Sequence, residues 1–354
     1  MTEANLALLR RRLLNWYRKN RRDLPWRRSR DPYAIWISET MLQQTQVKTV
    51  LPYYARFIAA LPTMQTLARA PLQRILRLWS GLGYYRRAEN LHKAARQIVR
   101  QHSGIMPCRY DELLGLPGIG EYTAGALLSI AYGERYPAVD GNVRRVLSRL
   151  LLTKSHKQIY SCAAKLAKTS QPGNLNQALM ELGATICTAK LPQCGNCPVS
   201  IDCRSARHVR RLPAKPARAK VTVRDVTWPL AIVHHQGKIL LRRRQSAGLL
   251  AKLWELPGAE ITPTEKPQAV IAKELSPLSV AGLVPQRLGE LRHSITNRRI
   301  HAPVLLYRWP VSKPAPVNSS QSRWVVPTEL HRYATSSMTS KAVKLFLDYE
   351  KNPA

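Results

Sequence analysis

Leu114-Gly115-Leu116-Pro117-Gly118-Ile119-Gly120 is the stretch whose reading decides the fold of the first part of this chain. Apolar residues at helical spacing precede it and a second helical pattern begins near Glu121, so these residues must reverse the chain between two helices. Gly118 and Gly120 are expected to supply backbone angles that other residues avoid. Such a turn brings N–H groups to the surface at a helix N-terminus, where unpaired amides and the helix dipole favour a phosphate oxygen. An ordinary helix–helix connection also wants glycine, so the hairpin alone leaves both readings open.

Asp140 lies twenty residues beyond Gly120, in Val139-Asp140-Gly141-Asn142-Val143. It follows a short apolar run and reads as the cap of a further helix. A carboxylate held at a helix mouth is also well placed to face a substrate, and the two roles are compatible. Farther on, Cys187, Cys194, Cys197 and Cys203 are spaced Cys-x6-Cys-x2-Cys-x5-Cys. Four thiols within one loop point to a metal centre. Zinc is a rival occupant, but structural zinc sites usually come as two close pairs, and only one Cys-x2-Cys pair is present here. An iron–sulfur cubane, each iron corner held by one thiolate, suits the spacing better. The remaining Cys108 and Cys162 read as small apolar core residues.

With 354 residues the chain is long enough for about two domains, and 45% hydrophobic content can build a real core. Its 56 Lys and Arg against 21 Asp and Glu leave a formal charge of +35. So large an excess points to a polyanionic partner, because neutralising phosphates releases counterions from nucleic acid. Within the first 30 residues, Arg10-Arg11-Arg12, Arg18-Lys19, Arg21-Arg22, Arg27-Arg28 and Arg30 alternate with Trp16, Tyr17 and Trp26. No apolar stretch of signal-peptide or membrane-spanning length is present. A soluble protein in a reducing intracellular compartment is expected, cytoplasmic and nucleoid-associated.

From Leu6 to about Arg211 helical periodicity dominates, with helices expected over Leu67–Leu78, Ala88–Gln101, Gly125–Tyr132 and Gln158–Lys168. Residues 1–211 therefore read as an all-α domain. The proline-bearing, basic stretch Leu212–Lys220 reads as a linker, placed over 212–226. Beyond it, Pro229–His234, Lys238–Arg242 and Ala302–Trp309 read as strands, with Gln236-Gly237 turning between the first two. A closing helical region starts near Leu330, giving an α+β second domain over 227–350.

Hairpin, aspartate and cysteine loop together resemble the helix–hairpin–helix DNA glycosylases that carry a cluster, over roughly residues 10–210. The resemblance implies that Gly118 and Gly120 grip the DNA backbone and that Asp140 acts on the sugar of a flipped nucleotide. It implies a structural 4Fe–4S cluster on the four cysteines of the 187–203 loop. In Ser38-Glu39-Thr40-Met41-Leu42-Gln43-Gln44-Thr45-Gln46, Glu39, Gln43 and Gln46 are expected on one helical face. An early-helix glutamate is also ordinary. The run resembles adenine glycosylases of the MutY type, where this glutamate is the general acid. Tyr122 stands where glycosylase/lyases similar to endonuclease III carry a Schiff-base lysine, which implies base hydrolysis without efficient strand cleavage. Asn142 and Tyr122 would align the sugar and the attacking water.

Leu249-Leu250-Ala251-Lys252-Leu253-Trp254-Glu255-Leu256-Pro257-Gly258 resembles the start of a Nudix fold. The following segment, Glu265 to Glu274, is too poor in carboxylates to hold Mg²⁺ well. By resemblance the domain is an inactive reader of 8-oxoguanine opposite the adenine. The same likeness assigns Arg22, Leu24, Trp26, Arg27 and Glu181 to the adenine pocket, Leu82 and Tyr84 to a wedge in the base stack, and Gln44 and Thr45 to the opposite base. Core packing is the plain alternative for Leu82 and Tyr84. Where family members often show Phe-Ser-His, this chain has Ile295-Thr296-Asn297. Thr296 keeps the hydroxyl, but an amide replaces the histidine, which implies weaker or differently built discrimination. The expected substrate is duplex DNA containing A:8-oxoguanine or A:G mispairs, and the expected protein is a monomer. Rival readings are a bifunctional lyase acting on oxidised pyrimidines, a non-enzymatic DNA-binding module, and a Nudix hydrolase with an added DNA domain.

Overall fold

The computed structural model describes residues 2–206, 222–244, 248–262, 264–275, 283–312 and 318–352. The expected linker at Leu212–Lys220 lies outside the described residues. Two compact units are formed, Met1–Ala70 with Arg86–Arg218, and Pro71–Tyr85 with Ala219–Ala354.

The first unit holds α1 (Glu3–Asn20), α2 (Pro32–Leu42), α3 (Val47–Ala60), α4 (Met64–Arg69), α6 (Arg86–Gln101), α7 (Tyr110–Leu114), α8 (Glu121–Ile130), α9 (Gly141–Leu151), α10 (His156–Ala167) and α11 (Pro172–Thr185). The intervening helix, α5 (Leu72–Trp79), belongs to the second unit. No strand occurs among described residues 2–206. Leu6, Leu9, Leu13 and Tyr17 form one face of α1 and pack with Val143, Leu147, Leu166, Leu179 and Leu182. This face takes up the amino-terminal aromatics: Tyr17 is buried and Trp16 packs against the same core. Arg10 and Arg12 among the interleaved arginines reach carbonyl and carboxylate oxygens, Arg12 Nη1 meeting Asp202 Oδ2 at 2.5 Å.

Two sequence expectations need correction here. The single helix over Leu67–Leu78 is two, because Ala70 is extended before Pro71, whose ring excludes a helical predecessor. Cys108 is exposed, whereas Cys162 is buried as expected.

In the second unit, β1 (Arg224–Thr227), β2 (Leu230–His235), β3 (Lys238–Arg243), β4 (Trp254–Glu255), β5 (Gln286–Ile295), β6 (Arg298–Arg308) and β7 (Ser322–Val325) make a mixed sheet. The order is β1-β6-β2-β3-β4, with β5 on β6 and β7 on β3. Gln236 and Gly237 both have positive φ, 45° and 75°, as a tight hairpin turn between twisted strands requires. Alternate residues of β2 face opposite sides: Leu230 and Ile232 join the core under α13 (Ser337–Lys351), while Ala231 and Val233 join Ile271 and Leu275 at α12 (Pro267–Glu274). Helices thus cover both faces of the sheet.

Candidate active site

Three local devices build the first unit's site. Asp31 caps α2 by accepting from the Tyr33 and Ala34 amides, and Pro32 starts the helix with its fixed φ. The turn after α7 reverses at Gly118, whose φ is +81°. A side chain there would also meet Asn90 Cβ at 2.8 Å. Gly120 is different from expectation: its φ of −107° is open to any residue, and its place is the N-cap of α8, with no side chain capping the first amides. Asp140 caps α9, accepting from the Val143 amide at 2.7 Å and from Asn142 Nδ2 at 2.8 Å.

These elements converge on one cleft of about 930 Å³. It is lined by eleven of the residues expected at the site: Arg22, Leu24, Trp26, Arg27, Glu39, Gln44, Thr45, Tyr122, Asp140, Asn142 and Glu181. Gln43 and Gln46 also line it, although not by sharing a helical face with Glu39. Helix α2 stops at Leu42, Gln43 turns away in an extended conformation, and Gln44 adopts φ +58°. The stop is stabilised from afar. Arg87 Nη1 donates to the carbonyls of Thr40 (3.0 Å), Met41 (2.8 Å) and Gln43, while Nη2 reaches Thr45 Oγ1 at 3.1 Å.

The two carboxyls of the cleft differ in environment. Glu39 is buried, and burial pushes its carboxyl up to about 7; the bond from the Tyr122 hydroxyl works the other way, and the Asp140 charge adds to the rise. Burial also lifts Asp140 above the ordinary aspartate range, but the Val143 amide and the Asn142 side chain favour its anion. Burial sends the Tyr122 phenol well above its usual value, so it serves as a hydrogen-bond donor.

At another wall, the Glu181 carboxylate is fully buried and receives Arg22 Nε at 2.6 Å, Arg22 Nη2 at 2.9 Å and Arg27 Nη2 at 2.8 Å. Burial would raise its pKa, yet the bonds from the two guanidinium groups outweigh burial and hold it at about 2. Trp26, next to Arg27 in the sequence, is buried and meets Tyr54 edge-to-face at 5.1 Å.

Sequence reasoning missed Arg145. Its Nη2 donates to Asn142 Oδ1 at 2.8 Å and to the Gly183 carbonyl at 2.7 Å, while Nε reaches the Cys187 carbonyl at 2.9 Å. A string of hydrogen bonds therefore joins Asp140, through Asn142 and Arg145, to the first cysteine of the loop. Its one sequence signal is the i+3 spacing from Asn142. Gly183 has no such signal; a Cβ there would strike Asn142 Cβ at 2.6 Å.

Cys187, Cys194, Cys197 and Cys203 line one small cavity together with Arg149, Ile186, Pro192 and Ser205. Buried Arg149 donates to Cys187 Sγ at 3.3 Å and to the carbonyls of Thr188 (2.7 Å) and Ala189 (3.2 Å), which fixes the loop's entry. Among the described residues no three thiol, imidazole or carboxylate groups gather closely enough for a single metal ion. Four thiols lining one cavity are a donor set of the kind that holds an iron–sulfur cluster.

The remaining expected residues lie in the second unit. Leu82 is buried, whereas Tyr84 is 50% exposed with φ +50°. Thr296 sits at the exposed β5–β6 turn with φ +55°, its hydroxyl donating to the Ile295 carbonyl at 2.7 Å.

A model of the HhH-GPD superfamily of base excision DNA repair proteins matches residues 37–172, and a NUDIX domain model matches residues 229–345. The adenine DNA glycosylase of Homo sapiens is 34% identical, covering 97% of this chain and 74% of its own length. That of Buchnera aphidicola subsp. Baizongia pistaciae is 40% identical over 69% of this chain and 72% of its own. Among solved structures, a thermostable thymine-DNA glycosylase superposes with a TM-score of 0.54 at 30% identity, covering 57% of this chain and 96% of that one. A non-covalent endonuclease III–DNA complex gives a TM-score of 0.52 at 24% identity over 60% and 99%, which speaks to fold alone.

Proposed function

This chain belongs to the adenine DNA glycosylases, enzymes of base excision repair, and on that premise we propose that it hydrolyses adenine from A:8-oxoguanine and A:G mispairs without an efficient lyase step. The observation that carries the reading is a single cleft lined by Glu39 and Asp140 in unlike electrostatic settings. Adenine must leave the stack before either group can reach it. Glu39, kept neutral by burial, protonates N7 and makes the purine a better leaving group. Asp140, ionised, stabilises the oxocarbenium character left on the sugar or captures C1′. Tyr122 and Asn142 orient the carboxyls, the sugar and the attacking water.

Arg22, Leu24, Trp26, Arg27 and Glu181 form the adenine pocket. Gln44 and Thr45 meet the opposite base, Tyr84 is the wedge on a loop based on Leu82, and Thr296 faces the lesion. Gly118, Gly120 and the uncapped amides of α8 hold the DNA backbone. The four cysteines hold a 4Fe–4S cluster, which when bound shapes the basic loop and takes no part in hydrolysis. The second unit is an inactive reader: the segment from Glu265 to Glu274 is poor in carboxylates, and Glu274 of α12 and Glu255 are each engaged by an arginine, Arg242 at 2.8 Å and Arg244 at 3.2 Å. We further propose that the protein acts as a monomer on double-stranded DNA inside the cell, in a reducing compartment.

Base release measured side by side on A:8-oxoguanine, A:G and A:C duplexes is expected to fall in that order. Borohydride should trap almost no covalent adduct during the reaction; efficient trapping would place the chain with the lyases instead. Freshly purified protein should be yellow-brown, absorbing at roughly 400 nm as thiolate-bound iron–sulfur clusters do. A colourless preparation with stoichiometric zinc would overturn the cluster.

A further inference from the structure

The loop that carries Tyr84 takes left-handed backbone angles at three of four residues, and at Tyr84 that conformation is strained. Gly81 and Gly83 have φ +95° and +77°, and Tyr84, which has a side chain to accommodate, has φ +50°. A conformation of this kind persists only where surrounding contacts over-determine it. Local contacts supply part of that: Trp79 Nε1 donates to the Gly83 carbonyl at 3.0 Å, and the Gly81 amide donates to Tyr85 Oη at 3.1 Å.

Further support comes from the far end of the chain. Ser80 Oγ and Tyr85 Oη both donate to one carbonyl, that of Thr335, at 2.6 and 3.0 Å. Thr335 is itself buried and fixed on two sides. The Trp254 amide on β4 donates to the Ala334 carbonyl at 2.8 Å, and Ser336 caps α13 by accepting from Thr339. At the start of α5, Gln73 Nε2 donates to the Lys252 carbonyl at 2.9 Å. Residues 71–85 are thus fastened by side-chain donors to backbone carbonyls of the Nudix-like fold.

We propose that the Nudix-like unit positions the wedge: the Thr335 carbonyl anchors Ser80 and Tyr85, and so holds Tyr84 in the strained, exposed form that enters the duplex. The proposal rests on the assignment of Tyr84 as the wedge. It gives the second unit a part in extruding adenine, separate from reading the opposite base. Ser80 and Tyr85 are positioning residues that act through Tyr84.

The test uses the full-length chain and an A:8-oxoguanine duplex with 2-aminopurine beside the target adenine, so that fluorescence reports extrusion before the bond is cut. Ser80→Ala/Tyr85→Phe removes both donors and is expected to lower the extrusion signal roughly tenfold, the loss of two net hydrogen bonds. Adenine release should fall in parallel on A:8-oxoguanine and A:G, leaving their ratio unchanged, and Ser80→Thr should restore the parent behaviour. Ser80→Ala alone, at a half-exposed side chain that folding tolerates, should lose about threefold. Tyr84→Ala separates the two ideas. If it extrudes adenine like the parent, the wedge assignment fails and the anchor with it. If Tyr84→Ala is impaired while both anchor variants behave as the parent, the anchor is wrong and the wedge stands. A change in the A:8-oxoguanine to A:G ratio alone would likewise overturn the anchor, since it would place Ser80 and Tyr85 in lesion reading.

Discussion

Glu39→Gln should lower single-turnover adenine release by about 10²–10⁴-fold, the usual worth of a positioned proton donor, while lesion-duplex binding stays within a factor of about three. Glutamine has the shape of the neutral acid and can still accept from Tyr122, so packing at this buried position is preserved. What it lacks is a transferable proton. In the parent, the carboxyl rises from an ordinary 4.5 to about 7 because burial disfavours its charge. Release should therefore decline about tenfold per pH unit above about 7 as the donor ionises, and Glu39→Gln should lose this alkaline limb.

The same shift has a stability consequence of definite sign. A carboxyl whose folded value is raised stabilises the fold fully below its unfolded value, here 4.5. That contribution is lost as pH rises through about 7. At pH 8 the glutamine variant should melt no lower than the parent. A variant that melts early, or that still releases adenine within tenfold of the parent rate, would remove Glu39 from the acid role.

What the sequence disclosed and what it hid divide along a physical line. The α7–α8 hairpin, the Asp140 cap and the cysteine loop are local: each is a few residues whose types and spacing carry their own geometry, and each appears where the pattern put it. The Glu39–Gln43–Gln46 face failed because the end of α2 is decided elsewhere. Arg87, more than forty residues on, takes the carbonyls that a continuing helix would have used. Local periodicity holds no trace of such a partner. The break at Pro71, by contrast, was available locally, since proline after Ala70 forbids the continuous helix that apolar spacing suggested.

Arg145 was hidden by composition. Among 56 basic residues nothing marks one arginine as the link between Asn142 and Cys187, and only the fold brings α9, α11 and the loop together. Assignment of residues 71–85 to the second unit is the extreme case, because Ser80 and Tyr85 find their acceptor 255 and 250 residues away. The proposed adenine pocket lies between these extremes. Arg22, Arg27 and Glu181 were nameable by resemblance, but the reason a carboxylate can sit there without protonating is the paired guanidiniums, which only the fold brings to it.

Asp140→Asn is the second large effect expected, a loss of about 10²–10³-fold in release, comparable to removing one preorganised charge-stabilising group from an active site. The substitution separates the residue's two duties. As the cap of α9, Asp140 accepts from the Val143 amide, and asparagine caps nearly as well, so the helix and the melting temperature should survive. As the anion facing the sugar, it has no neutral substitute, because an amide dipole is a poor match for a developing cation. The Asn142 side chain, which donates to Asp140 Oδ2 and accepts from Arg145, would then face an amide that can rotate to present either atom. A duplex carrying a cationic pyrrolidine ring in place of the target deoxyribose reads the charge directly. The parent should bind it far more tightly than substrate, since it resembles the transition state, and Asp140→Asn should lose most of that advantage. Because burial lifts Asp140 above the ordinary aspartate range, the parent's activity should fall at acid pH as the anion is protonated, and the variant should show no such limb. If Asp140→Asn keeps both fast release and tight pyrrolidine binding, the charge that offsets the cation must come from somewhere else in the cleft.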